Sequence, residues 1–242
     1  MQFTALLWKD WLVFKSRIIS ISLGSIIGPL LYLIAFGWGI GGVLRIGGMS
    51  YGAFVIPGII AMNSMINSFN FIANDINLSR IYTKTFEALM ISPTPMAVFT
   101  AARVSAGALR GLYSALLILS LSFLFQNDLR LDWYFFLVLV LNCAVFSAIG
   151  FIAGLLIDSH ADMAKVSNFV ITPMSFLCGT FFPLEKLPAL LRGILSALPL
   201  TQTVQGLRGG LSSGGSWAVP LVLGAYLLIL LPLGAFLCGR TE

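Results

Sequence analysis

The pattern of polar and apolar positions divides this chain into long uncharged stretches separated by short polar segments. About 20 helical residues cross the hydrocarbon core of a bilayer. Six stretches reach or approach that length, the fifth being short: residues 18–42, 51–73, 97–125, 133–157, 166–182 and 217–239. A segment in lipid must satisfy its own backbone hydrogen bonds. We therefore predict an all-α integral membrane protein with six transmembrane helices.

An amphipathic pattern precedes the first span, over residues 2–17. Apolar side chains recur every three or four positions and fall on one helical face: Phe3, Leu7, Trp11, Phe14 and Ile18. Such a helix is typical of a membrane surface. Asp10 lies near the edge of that face and makes the pattern imperfect. We predict an interfacial helix over 2–17, with a basic lead-in to the first span as the alternative.

Residues 183–215 are too polar and too interrupted to cross the bilayer. Apolar runs of about 10–14 residues are more typical of re-entrant or interfacial segments. We predict two short helices that dip into the outer leaflet before the sixth span, with Arg192 at the outer face. The residues that define this re-entrant segment are Pro183, Leu187, Pro188 and Pro199.

Charge is scarce, and its distribution indicates topology rather than a binding surface. The chain is 58% hydrophobic and 10% charged, with a formal net charge of +5, which excludes a soluble protein. Its basic residues are spread along the chain, so we expect no nucleic acid partner. With both termini in the cytoplasm, eight Lys and Arg residues lie inside and five outside, in keeping with the positive-inside rule. Segment 74–95 is then cytoplasmic and segment 183–215 extracytoplasmic, within one transmembrane domain over 1–242.

Two motifs of soluble enzymes occur in unsuitable surroundings. Residues 37–42 match G-x-G-x-x-G, but they follow a membrane span rather than a strand. Residues 210–214 match G-x-S-x-G, yet the single histidine, His160, is expected across the bilayer from Ser212. An intramembrane serine protease is therefore a weak alternative. No G-K-[ST] sequence occurs, the three cysteines are isolated, and we expect no catalytic residue, metal or cofactor in this chain.

Asparagines recur at helical spacing within the second span, at Asn63, Asn67 and Asn70. Polar side chains on membrane helices commonly form hydrogen bonds between helices. They can equally form a polar wall along a substrate path, and both interpretations are kept. Asn168 and Thr172 form a similar face on the fifth span. Arg110, inside the third span, either extends to the inner headgroups or has a partner within the protein.

The segment 74–95 concentrates polar residues between two apolar stretches and ends in two prolines. Together with a later segment it carries a family resemblance. Residues 86–103 contain E-x-L-x-x-S-P, at Glu87, Leu89, Ser92 and Pro93. Residues 176–208 contain a G-x-x-F-P turn, a Leu-Pro pair, a Pro-Leu pair and an arginine, at Gly179, Phe182, Pro183, Leu187, Pro188, Pro199, Leu200 and Arg208. In both segments and in overall layout the chain resembles the ABC type-2 transporter permeases, most of all the compact bacterial exporters of lipo-oligosaccharides, polysaccharides or drugs.

The resemblance implies a non-catalytic permease subunit of the bacterial inner membrane. Two copies as a homodimer, or one copy with a homologous partner, would join two separate ATPase subunits that bind ATP and Mg. The ATPases would drive export of an amphipathic or lipid-linked substrate, and membrane lipids would surround the permeases. It places a short coupling helix over 76–90 in a cleft of the ATPase, with Phe86 as an apolar knob. The residues assigned to this contact are Arg80, Lys84, Phe86 and Glu87. A passive channel or a membrane scaffold is the alternative function.

Overall fold

The computed structural model describes residues 2–40, 45–46, 49–86, 94–124, 131–211 and 215–240. Its first half consists of α1 (Gln2–Ser16), α2 (Ile18–Tyr32, continued by a π-helical stretch, Leu33–Ile40), α3 (Tyr51–Ile81), α4 (Met96–Ser122) and α5 (Trp133–Leu156). The second half consists of α6 (His160–Val166), a π-helical stretch (Ser167–Ile171), α7 (Thr172–Leu177), a 3-10 turn (Leu184–Lys186), α8 (Ala189–Ser196), α9 (Pro199–Leu211) and α10 (Ala218–Cys238).

A two-residue hairpin joins α2 to α3 within an otherwise helical chain. Its strands, β1 (Arg45–Ile46) and β2 (Met49–Ser50), pair antiparallel with Arg45 opposite Ser50. Ser50 then caps α3, because its hydroxyl accepts a hydrogen bond from the backbone N–H of Ala53 at 3.3 Å. We call the end of the bundle that carries this hairpin the hairpin end, and the opposite end, which carries α1, the α1 end.

Five helices among the described residues are long and apolar enough to cross a membrane: Ile18–Phe36, Tyr51–Ile81, Met96–Ser122, Trp133–Leu156 and Ala218–Cys238. They confirm an all-helical membrane architecture and five of the six predicted spans. The fifth predicted span, 166–182, is not among them. Its helical run begins at His160, passes through the π-helical stretch and ends at Leu177, so a sixth crossing stays a prediction.

The helix α3 forms the centre of the bundle and packs mainly against α4 and α5. Glycines permit this close approach, as small residues commonly do between membrane helices. A Cβ atom at Gly150 of α5 would lie 2.6 Å from the carbonyl oxygen of Phe69, and one at Gly154 would lie 2.9 Å from that of Ala73. The backbones of α3 and α5 therefore meet with no room for a methyl group.

A buried polar chain ties α9 to this core. The Asn142 amide on α5 donates to the hydroxyl of Ser64 on α3 at 2.8 Å, and its oxygen accepts from Thr203 on α9 at 2.9 Å. All three side chains are inaccessible to solvent. Since an unpaired polar group in an apolar interior is costly, these bonds fix the register of three helices.

At the hairpin end, the predicted re-entrant segment forms α8 and α9. Arg208 on α9 donates to the carbonyl oxygens of Phe54 at 3.0 Å and of Gly179 at 2.7 Å. Gly179 has φ +84°, a left-handed conformation that side chains rarely adopt. Burial lowers the pKa of Arg208 to about 10, so the side chain stays cationic at neutral pH. Arg208 thereby fastens α9 to α3 and to the turn after α7.

Candidate functional site

The polar segment after the second span is shorter in the structure than in the sequence prediction. The helix α3 continues to Ile81, and its last turn closes when the Tyr82 N–H donates to the Leu78 carbonyl. The prediction of a separate short helix over 76–90 is therefore wrong for its first six residues, which belong to α3. A turn at 82–84 follows, in which Lys84 has φ 50°, and another helical stretch begins at Thr85.

Arg80 is committed to contacts within the chain. Its Nη1 donates to the carbonyl oxygens of Gly154, at 3.1 Å, and of Leu155, and its Nη2 lies 3.2 Å from the Asp158 carboxylate. These carbonyls form the C-terminal end of α5, where a cation complements the helix dipole. Arg80 therefore braces α3 against α5, and its predicted role in an ATPase contact stays a prediction.

Phe86 is also turned into the protein. Only 4% of it is exposed, and its ring meets Phe99 edge to face at a centroid distance of 5.9 Å. Phe99 in turn contacts Phe151 of α5. Phe86 is thus a core side chain in this structure, because an aromatic ring next to the bundle gains more from the core than from water. Its predicted role as a knob in an ATPase cleft stays a prediction. Glu87 and the Ser92-Pro93 pair lie outside the described residues.

Side chains near the end of α3 and in the turn that follows it, rather than Phe86, are exposed at the α1 end. Tyr82 is 65% exposed and Leu78 47%, and Thr83, Lys84 and Thr85 are exposed beside them. We call these five residues the coupling surface. It combines one aromatic, one aliphatic and one basic side chain, a composition suited to a protein interface. Of the predicted coupling residues, Lys84 alone among those described is accessible in this way.

A charge triad lies behind the coupling surface and was not anticipated as a site. Arg103 of α4 is 5% exposed; its Nη1 donates to both oxygens of Asp10 at 2.8 Å, and its Nη2 pairs with Asp75. The triad joins α1, α3 and α4. It also explains the imperfect amphipathic pattern of α1, since Asp10 faces a buried arginine. In the sequence, the acidic residue on the apolar face of α1 was the feature that could have indicated a buried cationic partner.

A cavity of about 250 Å³ separates this triad from the coupling surface. It is lined by all three members of the triad, and by Leu78, Ser79, Thr83, Thr85 and Phe86. The charge triad and the turn at 82–84 therefore border the same cavity, whose walls are mainly apolar.

The asparagines of α3 bond between helices. The amide of buried Asn63 donates to the hydroxyl of Ser114 on α4 at 3.1 Å. Asn67 donates to the Asn63 carbonyl at 2.9 Å and accepts from Ser25 of α2 at 3.0 Å. These bonds connect α2, α3 and α4, and they support the interpretation as contacts between helices for Asn63 and Asn67.

The last residue of this row links α3 to the π-helical stretch, where Ser167 donates to the Asn70 side chain at 2.8 Å. Asn168 and Thr172, by contrast, are exposed on the outside of this run, next to Phe169, which is 79% exposed. The structure therefore separates the residues predicted to share a substrate path. Asn63, Asn67 and Asn70 lie within the bundle, and Asn168 and Thr172 lie on its surface.

The four residues of the re-entrant segment frame its short helices. Pro183 and Pro188 directly precede the 3-10 turn and α8, Leu187 lies between the two, and buried Pro199 begins α9. The two short helices predicted for this segment are α8 and α9, and the break between them falls just before Pro199. Arg192 on α8 is exposed, as expected for a segment at a membrane face.

The remaining motifs carry no further site in the described residues. The glycine pattern at 37–42 and Ser212 of the G-x-S-x-G match extend outside those residues. Cys143, Cys178 and Cys238 are buried, and none of them is part of a disulfide among the described residues. Within the described part of the chain, no group of three or more His, Cys, Asp or Glu side chains could hold a metal ion.

Comparison with known proteins assigns this arrangement of helices to a class. The family model described as ABC-2 type transporter matches residues 1–212. The inner membrane transport permease YadH of Escherichia coli K12 is 32% identical over 227 residues, covering 88% of this chain and 87% of its own. Nodulation protein J of Neorhizobium galegae is 28% identical over 239 residues, covering 93% and 87%.

The bundle is thus a membrane transport permease. The chain belongs to the ABC-2 type transporter family, as the resemblance in residues 86–103 and 176–208 indicated. Membership of this family implies an ABC transporter, in which ATPase partners accompany the permease.

Proposed function

We propose that this chain is the permease subunit of an ATP-driven exporter that moves an amphipathic or lipid-linked substrate outward across the bacterial inner membrane. The observation that carries the proposal is the family match over residues 1–212. The similarity to YadH, described as an inner membrane transport permease, supports the location. Lipo-oligosaccharides, polysaccharides and amphipathic drugs are the substrate classes that fit the apolar spans.

In this proposal the α1 end faces the cytoplasm, with both termini, and meets two ATPase subunits that bind ATP and Mg. The coupling surface is the contact. Tyr82 supplies an aromatic side chain that a cleft can bury, and Lys84 supplies charge beside it. Movement of this surface would reach α1 through the charge triad, since Asp75 lies six residues before Ile81 on the same helix.

The substrate path is proposed to lie between two copies of the chain. Polar side chains exposed to lipid are unfavourable, and Asn168 and Thr172 are exposed on a surface that also carries Phe169 and Val170. A second copy facing this surface would give both polar residues a hydrated path between the subunits. Asn63 and Asn67 form hydrogen bonds within one bundle. Because these amides are engaged with protein groups, a passive channel through a single copy is less well supported than a path between two copies.

The test compares Tyr82→Ala with Trp133→Ala in the chain purified with its ATPase. Both aromatic residues are exposed, 65% and 78%, but Trp133 begins α5 at the hairpin end. We expect Tyr82→Ala to weaken ATPase association roughly tenfold or more, the loss typical of an interfacial aromatic residue, at unchanged expression. The Trp133 variant should associate normally. Equal association by the two variants would contradict the assigned coupling surface.

A further inference from the structure

A second cavity, of about 200 Å³, lies between α1 and α4. Its walls are mostly apolar and aromatic, formed by Leu7, Trp11, Phe14, Ile18, Phe71 and Tyr113. Phe14 meets Tyr113 edge to face at 4.9 Å. Four of these wall residues, Leu7, Trp11, Phe14 and Ile18, belong to the amphipathic pattern predicted around residues 2–17. They therefore face a space shared with α4 rather than packing to full density against it.

One cation points into this apolar space. The Arg110 guanidinium stacks over the Phe71 ring at 4.2 Å from its centroid. Among the described residues, no acidic side chain forms a salt bridge with it. Asp10 lines the same cavity, but both its oxygens accept from Arg103. Arg110 thus lacks the counter-ion that a partly buried arginine in an apolar site requires.

The neighbouring charges increase this requirement. A second cation, Arg17, is exposed and directly precedes Ile18 of the cavity wall. A cation beside an apolar cavity, with a second cation next to the cavity wall in the chain, forms a site whose charge and shape complement an amphipathic anion.

The depth of the cavity matches the boundary between headgroups and acyl chains. The helix α3 has 31 residues and is about 46 Å long at about 1.5 Å per residue, whereas a hydrocarbon core is about 30 Å thick. Part of the bundle therefore lies outside that core, and we place the charge triad in this part because charged side chains are costly within lipid. Arg110 lies seven residues beyond Arg103 on α4, about 10 Å nearer the hairpin end.

We propose that this cavity binds an anionic phospholipid of the cytoplasmic leaflet. Its headgroup phosphate accepts hydrogen bonds from Arg110, with Arg17 adding charge, and its glycerol and upper acyl carbons lie against Trp11, Phe14 and Tyr113. The bound lipid completes the contact between α1 and α4. The inference rests on the proposed cytoplasmic placement of the α1 end and is independent of the exported substrate.

Trp11 provides a reporter, because it lines the cavity. In the full-length chain, the other four tryptophans (Trp8, Trp38, Trp133 and Trp217) are replaced by phenylalanine. The protein is placed in nanodiscs of phosphatidylcholine containing increasing amounts of dibrominated phosphatidylglycerol or dibrominated phosphatidylcholine. We expect the anionic lipid to quench Trp11 fluorescence at a roughly tenfold lower mole fraction, the effect of one charge-assisted hydrogen bond.

In the Arg110→Gln variant, we expect the anionic and the zwitterionic lipid to quench Trp11 at the same mole fraction. The Arg110→Lys variant should keep a reduced preference for the anionic lipid. Arg192→Gln, which removes an exposed cation on α8, should leave the preference unchanged. Equal quenching by the two lipids in the parent protein would overturn the proposal without any variant. An undiminished preference in Arg110→Gln would also overturn it. Neither result bears on association with an ATPase, so the proposed function is tested separately.

Discussion

Substitution of Gly150 by alanine tests the central helix packing of this bundle. The added Cβ atom would lie 2.6 Å from the Phe69 carbonyl oxygen, 3.1 Å from the Phe69 Cα atom and 3.2 Å from the Cγ2 methyl carbon of Ile72. Two of these three atoms belong to the backbone of α3, which cannot rotate away as a flexible side chain can. Since ordinary Cβ contacts begin at 3.4 Å, α3 and α5 must separate locally by several tenths of an ångström.

Gly224→Ala is the matched control, because no atom lies within 4 Å of the Cβ position at this residue of α10. Both substitutions gain the same helix propensity, about 1 kcal/mol. The difference between the variants therefore isolates the cost of overpacking, which is about 1–3 kcal/mol. For a chain of this size, that difference corresponds to about 2–12 °C in Tm.

The assay is thermal unfolding of the two purified variants and the parent chain in one detergent, followed by the loss of monodisperse protein. We expect the Gly150 variant to melt below the Gly224 variant by that interval. The Gly224 variant should melt at or slightly above the parent temperature. If the two variants melt together, α3 and α5 do not approach as closely as described.

Two further substitutions test contacts at opposite ends of the bundle. Asp10→Asn replaces the carboxylate that receives two bonds from Arg103 and should lower the free energy of unfolding by about 1.5–3 kcal/mol, with faster proteolysis of α1 as the local readout. Arg208→Lys keeps the charge but loses the planar fork that reaches the carbonyls of Phe54 and Gly179, and should cost about 1–3 kcal/mol. A Tm equal to that of the parent in either variant would show that the corresponding contacts contribute nothing.

The sequence predicted the membrane spans better than the helix ends. Apolar composition marks where a chain is in lipid, but a helix ends where its backbone geometry changes. The prediction stopped the second span at residue 73, where polar residues begin. The helix α3 continues to Ile81, because residues 74–81 include no proline or glycine that would end it.

The interfacial pattern of α1 was predictable, whereas its partners were not. The helix itself is confirmed over Gln2–Ser16, close to the predicted 2–17. Asp10 was recognised as an irregularity on the apolar face, but a single sequence does not show which cation meets it. Arg103 lies 93 residues away in the chain, and tertiary packing alone brings the two side chains together.

The roles of individual residues in the polar segment were the hardest to predict. An amphipathic pattern shows that Arg80 and Phe86 differ in polarity, and it does not show which surface each will contact. Both found partners within the bundle, at the end of α5 and on Phe99, leaving Tyr82 more exposed than Phe86. The asparagine row was similarly ambiguous, because hydrogen bonding between helices and a polar path use the same residue types.

The central claim is that this chain is the membrane subunit of a transporter whose ATP hydrolysis takes place on another chain. The most direct measurement is ATP hydrolysis by the complex purified from its native membranes through a tag on this chain, before and after the subunits are separated. The account predicts that the complex hydrolyses ATP, that the activity follows an ATPase subunit, and that the isolated permease has none. Hydrolysis retained by the isolated permease, or purification of the chain without any ATPase, would contradict the account.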